Sequence, residues 1–381
     1  MIKKILPFLI ITIFSYFIFS DKSFKKDELI IASSMPLSGI MQPWGEALNS
    51  TIKSYFEYAN ENILDDKKLQ FKVLDDKYEP NLTFENIENL YSKNDIFLFY
   101  ALVGTPTVKR VIPLFQDNNI PLFASFSGAS FLRDRNFENI INFRASYKDE
   151  IENLIDYILN SKKLKNISIF YQNDNFGEEG YTALKEELKK RDLILNSSGT
   201  YKRNTLSISH AFNKIKASNP EVIFLIGSYK ANTLFIEKAL KDESLKNTIF
   251  CTISFADANS MVKELKKSNS SLENIIFSQV VPNYLDKNSK TVNEYLDLME
   301  KNNLQDNIGF LSFEAFLSSK ILVEAIKNID GKISRNNFFK SIEKIDNNIF
   351  DNLDLNYKNG QLQNKTYLFE YKNNNFFEIT R

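Results

Sequence analysis

Two hydroxyl-bearing stretches, Gly104-Thr105-Pro106-Thr107 and Ser125-Phe126-Ser127-Gly128-Ala129-Ser130, each follow an apolar run of strand length. In open α/β sheets, ligands bind beyond the carboxyl ends of strands. Thr105 is placed to cap a helix with Pro106 as its first helical residue, which leaves free N–H groups at the positive end of a helix dipole. The chemistry on offer is capture of a carboxylate by those N–H groups and the Thr105 hydroxyl, although capping alone also explains Thr105. The stretch 125–130 offers further hydroxyls and flexible backbone donors on the neighbouring strand end, and two polar strand ends side by side predict a small anion site.

Aromatic groups accompany these polar ends. Trp44, the single Trp, lies on a loop after the first apolar run and before a helix, where it either seals a core or lines a site. Phe176 is expected to be exposed on the turn 172–180, and Tyr229 follows Gly227-Ser228 at another strand end. Asp257 closes the stretch Ser254-Phe255-Ala256-Asp257 at a further one.

Catalysis finds less support. One His and one Cys are too few for a common zinc site, a Cys-ligated iron–sulfur cluster or an intrachain disulfide. His210 reads as a surface position of a helix at 207–219, and Cys251, within the apolar run 248–254, reads as packing. Asp75 and Asp76 could hold a metal or move protons, but a polar strand end capping nearby backbone explains the pair more simply. Neither G-x-G-x-x-G nor G-x-x-x-x-G-K-S/T occurs, so no dinucleotide or P-loop chemistry is indicated. No catalytic residue, cofactor or metal is assigned. Lys plus Arg equals Asp plus Glu at 48 each, so no basic field argues for nucleic acid.

The elements that position these groups follow from length and periodicity. A chain of 381 residues exceeds one compact core, and 33 Phe with 17 Tyr supply apolar area that excludes wholesale disorder. Continuous apolar runs at 29–35, 69–74, 96–103, 121–125, 167–172, 222–227, 249–254 and 275–281 read as strands buried on both faces. Amphipathic segments at 46–60, 83–93, 108–117, 148–160, 178–191, 207–217 and 232–241 alternate with them, which predicts parallel sheets covered by helices. The alternation runs twice, breaking near Arg144, where 141–144 is an extended crossing segment. Helices at 292–301, 310–329 and 336–345 follow, then a strand pair, 367–371 with 376–379. Lys3 and Lys4 precede an apolar run at 5–19, the pattern of a signal peptide over residues 1–20. The cleavage site is poor, so an uncleaved anchor is the alternative; no Cys follows to carry a lipid.

Taken in order, several motifs resemble the leucine/isoleucine/valine-binding type of periplasmic solute-binding protein. They are Pro36-Leu37-Ser38-Gly39 through Trp44-Gly45, Asp75-Asp76, Asn173-Asp174-Asn175-Phe176-Gly177, Asn219-Pro220-Glu221-Val222-Ile223-Phe224 leading to Gly227, and Tyr357-Lys358-Asn359-Gly360, within residues 28–380. The resemblance implies the type I periplasmic binding fold: α/β, with two Rossmann-like lobes, parallel central sheets and a three-strand hinge. One lobe would comprise 27–144 plus 282–346, the other 145–281 plus 347–381. It further implies closure on a small amino acid, amide or carboxylate and delivery to an ABC permease; the signal-peptide pattern indicates a periplasmic location, and nothing in the sequence demands more than a monomer. A membrane sensor reading the closed form is the alternative partner. Carried over by resemblance, Thr105 donates to a ligand carboxylate, Ser127 or Gly128 completes that site, and Trp44, Phe176 and Tyr229 line it. Asp257 is the one acid near the position that meets a ligand ammonium, and Phe176 stands where the family usually has Tyr.

Overall fold

The computed structural model describes residues 22–380; the expected signal segment lies outside the described residues. Strands β1 (Leu29–Met35), β2 (Leu69–Asp75), β3 (Ile96–Tyr100), β4 (Leu122–Phe123) and β5 (Ile140–Ile141) form one sheet in the order β2-β1-β3-β4-β5. All its pairings are parallel. Every side chain of β1 and β3 is buried, as an apolar run covered on both faces requires. The helices Gln42–Asn62, Pro80–Lys93 and Thr105–Asp117 return the chain between these strands.

The second sheet comprises β6 (Ile167–Gln172), β7 (Ser197–Tyr201), β8 (Val222–Ile226), β9 (Ile249–Thr252), β10 (Ile275–Gln279), β11 (Tyr367–Lys372) and β12 (Asn375–Glu378). Its order is β12-β11-β10-β9-β8-β6-β7. Strands β6 to β10 run parallel, whereas β11 and β12 are antiparallel, joined at Asn373 and Asn374 with positive φ. Asn tolerates that conformation, which suits the tight turn of a hairpin. The two sheets, each parallel at its centre, give the expected two-lobed α/β architecture.

Among the described residues the chain crosses three times between the sheets, and the crossings are tied together. Asn142 N–H donates to Gly360 O at 2.7 Å and Leu362 N–H to Asn142 O at 2.9 Å. Gln361 Nε2 donates to Arg144 O at 2.9 Å, and Gln363 Nε2 to Val280 O at 3.1 Å. After the second crossing the helices Lys290–Lys301, Phe310–Lys327 and Arg335–Ile342 return to the first lobe, where Arg335 donates to the carbonyls of Ile96 and Phe97.

The sequence reading departs from this fold at element ends. Helices expected from 46, 83 and 108 begin at Gln42, Pro80 and Thr105, each carrying a Pro in its first two positions. Proline fits there because the first N–H groups of a helix have no internal partner. The runs 96–103 and 121–125 yield strands only to Tyr100 and Phe123, since Ala101 and Ala124 adopt positive φ. Strand β7 and the helix Ala258–Lys267 fall outside the elements that the apolar pattern predicts.

Candidate functional site

Positive φ costs of order 1–3 kcal/mol in a residue with a Cβ and tends to cluster at functional sites. Among the described residues that are neither Gly, Asn, Asp nor Lys, only Tyr78, Ala101 and Ala124 adopt it. Ala101 and Ala124 bend the chain at the ends of β3 and β4 and so deliver Thr105 and Ser127. Gly104, with φ of 95°, is the N-cap of the helix Thr105–Asp117; Thr105 is its first residue, not the cap expected from sequence. The Thr105 and Ser127 hydroxyls are consequently free to meet each other, at 2.9 Å. Tyr147 lies beside them, its hydroxyl 3.5 Å from Thr105 Oγ1. A Cβ on Gly128 would stand 2.6 Å from a Tyr147 ring carbon, so glycine is what lets Tyr147 approach.

Five aromatic rings complete this centre. Phe255, on the turn after β9, has its ring centroid 4.6 Å from Trp44, 4.5 Å from Phe176, 6.0 Å from Tyr78 and 6.4 Å from Tyr147. Trp44 and Tyr78 belong to the first lobe; Tyr147, Phe176 and Phe255 to the second. Two expectations need correcting. Trp44 sits in the first turn of the helix Gln42–Asn62, not on a loop, because Pro43 starts a helix instead of preventing one. Phe176 is fully buried, not exposed, because Asp174 caps the helix Asn175–Lys190, accepting from Phe176 N–H at 3.0 Å, and turns the ring inward.

Thr105, Ser127, Gly128, Trp44 and Phe176 thus converge. Tyr229 and Asp257 lie apart from them, on a cavity of about 350 Å³ that they share with Glu46 and Asn307 of the opposite lobe. Asp257 is 5% exposed, has φ of 56° and caps the helix Ala258–Lys267 by accepting from Ser260 N–H at 3.2 Å. Burial pushes its pKa up to about 6. Asp76, also raised to about 6 by burial, accepts from Ser34, Tyr78 N–H and Thr83. Asp75 accepts from Leu37 N–H, Ser38 and Lys77 N–H. Both acids therefore hold backbone and hydroxyl donors at the end of β2.

A pH dependence follows. Between about pH 6 and 4 the folded state holds protons on Asp76 and Asp257 that the unfolded chain has lost, so stability rises as pH falls through that window. Asp257→Asn keeps the capping oxygen and tolerates the positive φ. It is expected to raise stability at pH 7, by about 3 kcal/mol at most, and to flatten the gain on acidification. Thermal melts of both proteins at pH 7 and 5 check this; parallel pH profiles would contradict it.

Beyond the rings, polar contacts join the lobes. Arg203 Nη2 donates to Glu79 Oε2 at 2.9 Å and Asn204 Nδ2 to Glu79 Oε1 at 2.7 Å. Ser130 donates through N–H and hydroxyl to Glu179, both at 3.0 Å, and Phe310 N–H donates to Asn259 Oδ1 at 3.0 Å. At the first crossing, Arg144 makes a two-pronged pair with Glu314, 2.9 Å from Nε and 2.8 Å from Nη2. Glu150, buried near Arg144, accepts from Ser254 N–H and Oγ at 2.7 and 2.9 Å and so fixes the turn that carries Phe255.

Elsewhere, His210 is exposed on its helix and Cys251 is buried in β9, with its thiol pushed up by burial. Among the described residues no three His, Cys, Asp or Glu gather as a metal site, and no helix is long and apolar enough to cross a membrane. Sequence reasoning gave no place in the site to Tyr78, Tyr147, Arg144, Glu150 or Glu314. Phe255 was legible only as an aromatic following a strand; the others carried no local signal, since their roles arise from pairing across the fold.

A family model described as "Periplasmic binding protein" matches residues 29–375. The chain is 21% identical over 222 residues to Leu/Ile/Val-binding protein homolog 3 of Brucella melitensis; the match covers 58% of this chain and 59% of that relative. A solved structure of a possible leucine/isoleucine/valine-binding protein from Rhodopirellula baltica superposes with a TM-score of 0.84 at 27% identity, covering 95% of this chain and 98% of that one. A branched-chain amino acid ABC transporter structure from Thermus thermophilus, with bound valine, gives 0.83 at 15% identity, with 94% and 96% covered. The latter shows likeness of fold.

Proposed function

The chain belongs to the periplasmic binding protein family, and from that premise we propose that it is an extracytoplasmic solute-binding protein of an ABC importer. Its lobes, 27–144 plus 282–346 and 145–281 plus 347–381, close by a hinge on a small amino acid, amide or carboxylate and present it to a permease. The observation that carries this reading is the convergence of Thr105 and Ser127 hydroxyls with rings from both lobes, at strand ends bent by positive φ. Ligands of open α/β sheets bind at such strand ends, and hinge closure around them is a recognised route to trapping. Three chain crossings tied by hydrogen bonds supply the hinge.

Thr105 and Ser127 are assigned to a ligand's carboxylate, and Trp44 and Phe176 to its apolar part. Tyr229 and Asp257 line the mouth of the cleft instead of the anion site. Thr105→Val keeps the shape and deletes the hydroxyl, so a carboxylate ligand should weaken by roughly 1.5–3 kcal/mol, as for a hydrogen bond to a charged group. Isothermal titration of both proteins measures this, and an unchanged affinity would move the carboxylate away from Thr105.

A further inference from the structure

We propose that Phe255 is the specificity-determining residue of the cleft. It is a built-in occupant of the subsite that receives an apolar, ring-sized group of the cargo carried next to a hydrogen-bond acceptor. The inference rests on the solute-binding reading above and names the class of solute.

Phe255 belongs to the second lobe, yet its ring lies against Trp44 of the first at 4.6 Å and against Phe176 of its own at 4.5 Å, tilted by 38° and 48°. Tyr78 and Tyr147 stand at 6.0 and 6.4 Å, and the side chain is 1% exposed. A cleft closing on cargo holds its two walls apart by the width of the cargo; here a phenyl ring of the chain itself does so. That ring stands among the groups assigned to cargo, because Tyr147, one of its neighbours, also meets the Thr105 hydroxyl.

The turn carrying Phe255 is fixed on both sides. Glu150 accepts from Ser254 N–H and Oγ, and the Asp257 side chain caps the following helix. With the main chain held at 254 and 257, the Phe255 side chain is the part able to leave, by rotation between staggered wells. The polar inventory then indicates what replaces it. Trp44 Nε1 and Arg144 Nη1 are buried donors with no acceptor among the described residues, and Arg144 Cζ lies 5.8 Å from the Trp44 ring. A phenyl group offers these donors nothing, and buried donors without partners are unfavourable. A solute pairing an apolar group of phenyl size with a carboxylate or amide oxygen supplies both the packing and the acceptor. A sugar offers hydroxyl acceptors but brings further hydroxyl groups that an apolar, ring-lined subsite would leave unpaired.

Cargo and Phe255 therefore compete for one subsite, and truncating Phe255 should reveal the site to a small probe. Phe255→Ala and Phe255→Leu are made in the full protein and titrated with phenylacetate and toluene by calorimetry. Emission of Trp44, the single Trp, reports locally. Phe255→Ala should bind phenylacetate at least tenfold more tightly than the unsubstituted protein, with toluene weaker than phenylacetate and a shift in Trp44 emission. Phe255→Leu, which still fills the subsite, should remain within about threefold of the unsubstituted protein.

Folded Phe255→Ala that binds both probes no better than the unsubstituted protein overturns the proposal. If the unsubstituted protein meanwhile binds another carboxylate, the solute-binding reading survives and the role of Phe255 alone fails. A gain in Phe255→Ala, with no solute found for the unsubstituted protein, supports the occupant and counts against transport. Should Phe255→Ala not fold, Phe255→Val decides in the same way, through a smaller gain or none.

Discussion

Glu314→Gln should destabilise the protein by about 3–5 kcal/mol in urea denaturation, among the largest effects of any single charge removal here. Arg144 and Glu314 are 1% and 4% exposed and meet through two hydrogen bonds of 2.9 and 2.8 Å. Burial by itself would lower the Arg144 pKa, but the Glu314 carboxylate overrides it and holds the guanidinium firmly cationic. Guanidinium is too basic to shed its charge even when that partner is removed, so an unpaired cation remains inside the protein. Its backbone carbonyl also accepts from Gln361 and Arg133 at the crossing between the lobes, so the disturbance reaches the hinge. Replacing both partners, Arg144→Met with Glu314→Leu, should recover most of the loss, because the desolvation of both charges disappears with them. A Glu314→Gln protein as stable as the original would show that the pair is not the anchor of this crossing.

Trp44→Ala should lower stability by about 3–5 kcal/mol, the usual range for deleting a buried large aromatic. Trp44 is fully buried, lies against the tilted ring of Phe255 at 4.6 Å, meets Phe126 edge-on at 5.9 Å and lies beneath the Arg144 guanidinium. Because Phe255 belongs to the opposite lobe, part of the loss should appear as looser closure. The radius of gyration in solution scattering should rise even under conditions where the variant is folded. Loss of ligand affinity with stability and dimensions unchanged would instead make Trp44 a lining residue without a structural part.

The strands of both lobes were legible where burial on both faces leaves a continuous apolar run, as in Ile167–Gln172 and Val222–Ile226. Strand β7, Ser-Ser-Gly-Thr-Tyr, carried no such run because it forms an edge and buries only Gly199 and Tyr201 fully. Pro43 reads as loop in the sequence, and Trp44 with it, because a proline punctuates both loops and helix starts; only the following turn tells them apart. The convergence of Thr105 with Ser127 was legible from adjacent strand ends. By sequence Phe176 reads as exposed because a turn residue before a helix usually is; tertiary packing against Phe255 and Tyr147 decides otherwise. The Arg144–Glu314 pair joins residues 170 apart in sequence, a separation over which no local pattern carries information.

The most direct test of the central claim is a thermal-shift screen of the protein against amino acids, amides, and aliphatic and aromatic carboxylates. A solute-binding protein holding cargo at 100 times its dissociation constant gains about 2.7 kcal/mol, which for a chain of this size appears as a rise of several degrees. A rise with one compound class, largest for an acid or amide bearing an apolar group and diminished in Thr105→Val, is the predicted result. A well-folded protein whose melting temperature none of these compounds moves would contradict the account.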